Sequence, residues 1–243
     1  MDNREATGNG GQKRLLQIRN AIQQAEWCAG CLPDTLEAIL DQSTVRELKR
    51  GETLSRVGEH IDQLTLVVHG VLEVSYTAGS GRRHIAGYVT TGDLYNLVPL
   101  MDNVPATHDT VAVCDSSTLQ LSKSLVTTLI GRDAAFNSAV IVLLSQRSRR
   151  VYLSLADSHL LPLRQRLARI LLHLVNQFGV PRDDGIHLAM KMAQDQLADY
   201  VGCSRPVLNR ELKLLEHDRI ILIRYSQIIV MDEPLLTSIA MDG

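Results

Sequence analysis

The feature that most constrains this chain is a change of rhythm near residue 131. Glycines at 51, 58, 70, 79, 81, 87 and 92 break the preceding hundred residues into short pieces. Then Asp133 to Asp157 runs for 25 residues without a glycine or proline. Short pieces that alternate are strands. In LTLVVHGVLEVSY, Leu64, Leu66 and Val68, then Leu72, Val74 and Tyr76, fall on every second position, the period of a half-buried strand. Strands with turn signals every 7–12 residues imply an antiparallel sandwich or jelly roll. No βαβ rhythm and no phosphate-binding glycine loop interrupts them. The uninterrupted stretch is one long helix. Its apolar seam is Phe136, Val140, Leu144, Val151 and Leu155, broken by Arg147. Such a seam pairs with a copy of itself or packs on the chain's own sheet, and the pattern alone leaves both open.

After Pro162 a further helix carries Leu167, Ile170, Leu171 and Leu174 at helical spacing and ends near Gly179 and Pro181. The last 55 residues then read as helix (194–200), tight turn, helix (205–218) and a hairpin around Tyr225-Ser226. That is the layout of a winged helix-turn-helix. At 100° per residue Leu208, Leu212 and Leu215 cluster toward a core. Pro206, Asn209, Arg210 and Lys213 share the other side, with Arg205 at the rim. Ser204 is the expected N-cap, its hydroxyl taking the Val207 N–H because Pro206 has none. Gly202 supplies the left-handed turn residue, and Ala198 lets the helices cross closely. A helix N-terminus with two arginines suits a major groove, where arginine forks onto guanine N7 and O6. A plain amphipathic surface helix is the alternative.

The 243 residues carry a net charge of −2. That argues against a generic polycation but not against a local basic surface. The longest clean apolar run, Ala139–Leu144, is far short of a membrane span. The first residues lack the apolar core of a secretory signal, so a cytoplasmic protein is expected. Their Gly/Asn content implies a flexible arm over residues 1–24. Four cysteines in a chain this long make no disulfide scaffold. Cys28 and Cys31 form a CxxC without the βαβ setting of a thiol redox enzyme, and no catalytic site is expected.

Taken together, ADYVGCSRPVLNRELKLLE, IILIRYSQIIVMD, RGETLSRVGE and TTGDL resemble the cyclic-AMP receptor / fumarate–nitrate regulator (CRP/FNR) family of bacterial transcription factors, over roughly residues 25–240. The implied architecture is α+β. A β-roll sensor of the cyclic-nucleotide-binding kind spans 25–130, a dimerisation helix 131–158 and a winged helix-turn-helix 159–243. The resemblance implies a homodimer through Val140, Leu144, Val151 and Leu155, reading palindromic double-stranded DNA with RNA polymerase as a further partner. The half-sites would lie about one turn (~34 Å) apart. Ser204, Arg205, Pro206, Asn209, Arg210 and Lys213 fall on the DNA-reading positions. Arg205 matches an arginine that meets guanine or phosphate, and Arg210 a second arginine. Pro206 stands where the cyclic-AMP receptor type has a cytosine-reading glutamate. Asn209 can pair with adenine. Ala193 replaces a phosphate-touching Ser/Thr.

The sensor departs from the family's cyclic-nucleotide cassette. Leu97 falls at the glutamate that takes the ribose and Thr107 at the arginine that pairs with the cyclic phosphate. A different effector, or none, is therefore expected, and no cofactor is assigned. Leu97, Val98, Leu100, Met101, Thr107 and His108 either fill the vacated pocket or line a site for an apolar or planar ligand. Other readings stay open. One is a cyclic nucleotide after all. Another is haem on His108, its ring oriented by Asp109. A third is a thiol or iron–sulfur switch at Cys28 and Cys31, although three cysteines counting Cys114 are too few for an all-cysteine cluster. A ligand-binding module without DNA function is the last.

Overall fold

The computed structural model describes residues 15–23, 25–224 and 227–241. Most of the expected N-terminal arm and the Tyr225-Ser226 turn lie outside them. The chain divides into two compact units, residues 1–76 with 86–148, and residues 77–85 with 149–243.

The first unit opens with a helix over residues 15–23 (α1), which corrects the expectation of an arm reaching residue 24. Ile18, Ala21 and Ile22 are buried. Their i, i+3, i+4 spacing was in the sequence, masked by the polar residues before it. A turn at Glu26–Cys28 and helix α2 (Pro33–Gln42) lead into the strands. Two antiparallel sheets follow. One has the order β1 (Thr44–Leu48), β8 (Ser116–Ser122), β3 (Gln63–His69), β6 (Leu94–Tyr95). The other has the order β2 (Thr53–Ser55), β7 (Asp109–Ala112), β4 (Val71–Thr77), β5 (Arg83–Thr90). Between β3 and β4, Gly70 has φ 99° and a Cβ there would stand 2.2 Å from Ser116 Oγ, so no other residue fits this turn.

Strand β3 is buried on both faces, so Val67 is apolar between the alternating Leu66 and Val68, and even Thr65 is buried. Leu64, Leu66 and Val68 enter a core with Ile18, Trp27, Ile39, Leu97, Leu100, Val126 and Phe136. Val67 enters a second core with Leu48, Leu54, Leu72, Val74, Val89 and Ala112. Helices α4 (Lys123–Arg132) and α5 (Ala134–Leu160) complete the first core. The long helix thus starts three residues later than expected, because Gly131 and Arg132 belong to α4 and Asp133 caps α5. Asp133 Oδ1 accepts the N–H of Ala135 (2.9 Å) and Phe136 (3.2 Å). Its Oδ2 accepts the N–H of Leu32 (2.8 Å) and the Thr35 hydroxyl (2.7 Å). These bonds, the Thr35 hydroxyl first, hold its carboxyl below the usual carboxylate range.

The predicted seam on α5 splits. Phe136 and Val140 are buried in the first core and Leu144 is packed half-buried against it. Val140 is therefore not available to a partner, contrary to expectation, because the chain's own core covers the first turns. Arg147, which broke the seam, donates to the Leu94 carbonyl. Further along, Val151 and Leu155 are 66% and 56% exposed. Ile141, Val142, Tyr152 and Leu153 are exposed as well. Ile141, Tyr152 and Leu155 fall within about 60° of one another around the helix.

In the second unit α6 (Leu163–Phe178) buries Leu167, Leu171 and Leu174. A four-stranded sheet runs β11 (Ile221–Arg224), β12 (Gln227–Val230), β10 (Gly185–Leu188), β9 (Gly179–Arg182). The β9–β10 hairpin at Asp-Asp-Gly was not anticipated. Helices α7 (Gln194–Val201), α8 (Arg205–His217) and α9 (Glu233–Met241) complete the unit. Among the described residues no single helix is long and apolar enough to cross a membrane.

Candidate DNA interface and effector site

The two helices of the turn form as the sequence implies. Gly202 adopts φ 77°, and the N–H groups of Gly202 and Cys203 both reach the Ala198 carbonyl, at 2.9 and 3.0 Å. Ala198 is buried at the crossing. Leu208, Leu212 and Leu215 are at most 1% exposed. They anchor α8 on the core, so its orientation is fixed by three fully buried side chains. Ser204 occupies the N-cap but its hydroxyl makes no capping bond, contrary to expectation. The turn is held by backbone instead, with Leu208 N–H donating to the Ser204 carbonyl at 2.9 Å. Ala193, at the N-cap of α7, has no side-chain oxygen, and Gln196 Oε1 accepts its N–H at 3.0 Å.

Ser204, Arg205, Pro206, Arg210 and Lys213 are all exposed. Arg210 is free to reach outward, its side chain 73% exposed and only loosely paired with Glu211 at 3.8 Å. Asn209 differs. It is half-buried, and its Oδ1 is enclosed without a hydrogen-bond partner. The oxygen that would accept from adenine is turned into the protein, because Asn209 sits at the flank of α8 next to the leucine stripe. Arg205 is not free either. Its Nη1 donates to Asp195 Oδ2 in the first turn of α7 at 3.2 Å. Sequence reasoning missed Asp195, since a contact across ten residues depends on the turn between the helices. Met192, Asp195, Leu197, Arg205, Leu212 and Ile228 line a cleft of 290 Å³ between α7, α8 and the strands. On the neighbouring hairpin, Arg224 lies 3.9 Å from Asp184.

The candidate effector residues do not converge. Leu97 begins α3 (Leu97–Asp102), a helix flanked by Asn96 at φ 67° and Asn103 at φ 60°. Its i, i+3 pairs face opposite ways. Leu97 and Leu100 are 0% exposed, while Val98 and Met101 are 48% and 44% exposed. Thr107 is exposed and its hydroxyl lies 2.9 Å from His108 Nδ1. Asp109, expected to orient that imidazole, accepts the Val57 N–H at 3.0 Å.

Cys28 Sγ donates to the Ile22 carbonyl at 2.7 Å, and Cys31 Sγ lies 3.7 Å from the Trp27 carbonyl. Burial pushes both thiols up, Cys31 to about 11 with help from the Asp133 charge. Thiols held protonated are poor nucleophiles and poor ligands. Trp27 itself locks the segment, donating from Nε1 to the Gly92 carbonyl at 2.8 Å and standing edge-on to Phe136. Among the described residues no group of three His, Cys, Asp or Glu is placed to hold a metal ion.

Comparison with known proteins agrees with this layout. Residues 45–133 match the cyclic nucleotide-binding domain and residues 165–239 the Crp-like helix-turn-helix domain. A CRP-like cAMP-activated global transcriptional regulator of Mycobacterium tuberculosis is 22% identical over 203 residues, covering 84% of this chain and 91% of its own length. The structure of FixK2 from Bradyrhizobium japonicum superposes with a TM-score of 0.71 at 18% identity, covering 81% of this chain and 96% of that one. The c-di-GMP responsive global regulator CLP of Xanthomonas campestris gives 0.70 at 20%, covering 81% and 98%. A sensor domain and a DNA-reading domain of these two kinds, in this order on one chain, make it a member of the CRP/FNR family of transcription regulators.

Proposed function

We propose that this DNA-binding regulator works in the cytoplasm as a homodimer on a palindromic site, with RNA polymerase as a further partner. Its β-roll answers a signal other than cyclic AMP, or acts without a small ligand. The dimer reading rests on the exposed apolar stripe of α5, with Ile141, Tyr152 and Leu155 56%, 70% and 56% exposed. Isolated exposed apolar residues are ordinary, but a stripe along a 27-residue helix supports reading it as an interface. Paired α8 helices would then present two Arg210 side chains to successive major grooves.

The observation that carries the effector reading is the fate of Leu97. It stands where a ribose-binding glutamate is needed and fills the core at 0% exposure. Thr107, at the phosphate-pairing position, offers no charge. Loss of a charge-assisted pair worth about 1.5–3 kcal/mol weakens a bound cyclic phosphate roughly 10- to 150-fold. The M. tuberculosis relative is cAMP-activated, whereas CLP is c-di-GMP responsive, so kinship alone does not choose the effector. The raised thiols weigh against a switch at Cys28 and Cys31.

Calorimetric titration of the full chain with cyclic AMP and cyclic GMP tests this, alongside selection of bound sites from random DNA. The expected result is a two-fold-symmetric selected site and no saturable heat at micromolar nucleotide. Saturable micromolar binding of either nucleotide overturns the effector reading, and failure to select any site overturns the DNA reading.

A further inference from the structure

We propose that Asp195 is a positioning residue for Arg205: it fixes which edge of the guanidinium faces the DNA and makes the site more selective. This deepens the reading of Arg205 as a base-contacting residue and rests on it. Asp195 lies in the first turn of α7 and Arg205 opens α8. The Gly202 turn brings them together, with Nη1 to Oδ2 at 3.2 Å. Both side chains remain accessible, 56% exposed for Arg205 and 66% for Asp195, so DNA can reach the pair without unfolding anything.

The chemistry follows from how a guanidinium is built. It carries five N–H donors in a plane. With Nη1 committed to the carboxylate, the edge formed by Nε and Nη2 is still free. That edge presents two parallel N–H groups, the spacing that guanine N7 and O6 accept. An unrestrained arginine would sample many rotamers and meet phosphates as readily as bases. Restraint removes part of the ordering cost of docking.

The carboxylate has a second effect. Asp195 occupies the positive end of α7, where its charge is favoured and where a phosphate would otherwise settle. A negative charge beside the backbone penalises binding wherever no base contact compensates. Asp195 therefore lowers affinity for non-specific DNA while raising discrimination at one base pair.

The test compares full-length wild type, Asp195→Asn, Asp195→Glu and Arg205→Ala by selected-site sequencing and by competition titration against random DNA over a salt series. Thermal midpoints serve as the folding control. Arg205→Ala identifies the base pair that the arginine reads. Asp195→Asn should lower discrimination at that pair alone by about two- to five-fold, the scale of an exposed ion pair. It should raise random-DNA affinity and steepen the salt slope. Asp195→Glu, which keeps the charge, should restore most of the discrimination. If Arg205→Ala changes the selected base and Asp195→Asn does not, or if Asp195→Asn weakens all sequences equally, the positioning role is overturned and the reading of Arg205 stands. If Arg205→Ala itself leaves the motif unchanged, the base-reading role fails first and the proposal goes with it.

Discussion

Replacing Asp133 by alanine should destabilise the sensor unit by about 3 kcal/mol. The carboxylate is 2% exposed and accepts four hydrogen bonds. Two come from the first turn of α5, and losing such a cap costs about 1 kcal/mol. A third comes from the Thr35 hydroxyl, itself 4% exposed. Left without an acceptor, that buried hydroxyl costs about 1–3 kcal/mol. The fourth donor, the N–H of the exposed Leu32, can turn to water and adds about 0.5 kcal/mol. Asp133→Asn keeps one oxygen for the cap and should lose about half as much. Urea denaturation of the full chain, followed by Trp27 fluorescence, measures this. With a slope near ~2 kcal/mol/M the midpoint should fall by about 1.5 M for alanine. The pH dependence has a definite sign. The Asp133 pKa is depressed in the folded state, so its contribution is present above the unfolded value near ~3.9 and is lost as pH falls through the lower folded value. The gap between wild type and alanine should stay constant near neutrality and shrink in acid. A midpoint shift below about 0.3 M at pH 7, or a gap that grows in acid, refutes the reasoning.

Two further outcomes test the functional surfaces. Arg210→Ala should cost about 1–3 kcal/mol at the selected site and relax preference at one base pair of each half-site, while Lys213→Ala should weaken all sequences alike and flatten the salt dependence. Competition titrations on selected sites decide it, and the reverse pattern means that α8 lies rotated in the groove. Val151→Glu with Leu155→Glu, at side chains already exposed in the chain, should leave the protomer's fold unchanged by circular dichroism. It should raise the dimer dissociation constant about 10⁴-fold by sedimentation, from about 1.5 kcal/mol for each of four side chains no longer buried. An unaltered dimer places the interface elsewhere.

The residues that were legible and those that were not differ in one physical respect. Leu208, Leu212, Leu215 and Gly202 could be read directly, because an apolar stripe over two helical turns and one left-handed residue leave a short helix one way to dock. The same periodicity on α5 picks out a line of apolar residues but not what covers it. Val140 and Val151 are eleven residues apart and lie within about 20° around the helix, yet Val140 is 3% and Val151 66% exposed. What buries a stripe is set by strands far away in sequence, and period does not encode it. Asp133 falls inside the stretch read as helix, and its bonds to Leu32 and Thr35 span about a hundred residues. The cassette segment shows the same limit. Leu97 and Leu100 on one side and Val98 and Met101 on the other are separated by helical spacing, so once α3 forms no single apolar pocket can be lined by all four. The segment is instead part of the core beneath β3 and β6, where Leu97 and Leu100 pack with Leu64, Leu66 and Leu94. A charged side chain at position 97 would have to disturb that packing, so Leu97→Glu should cost stability whatever the β-roll senses.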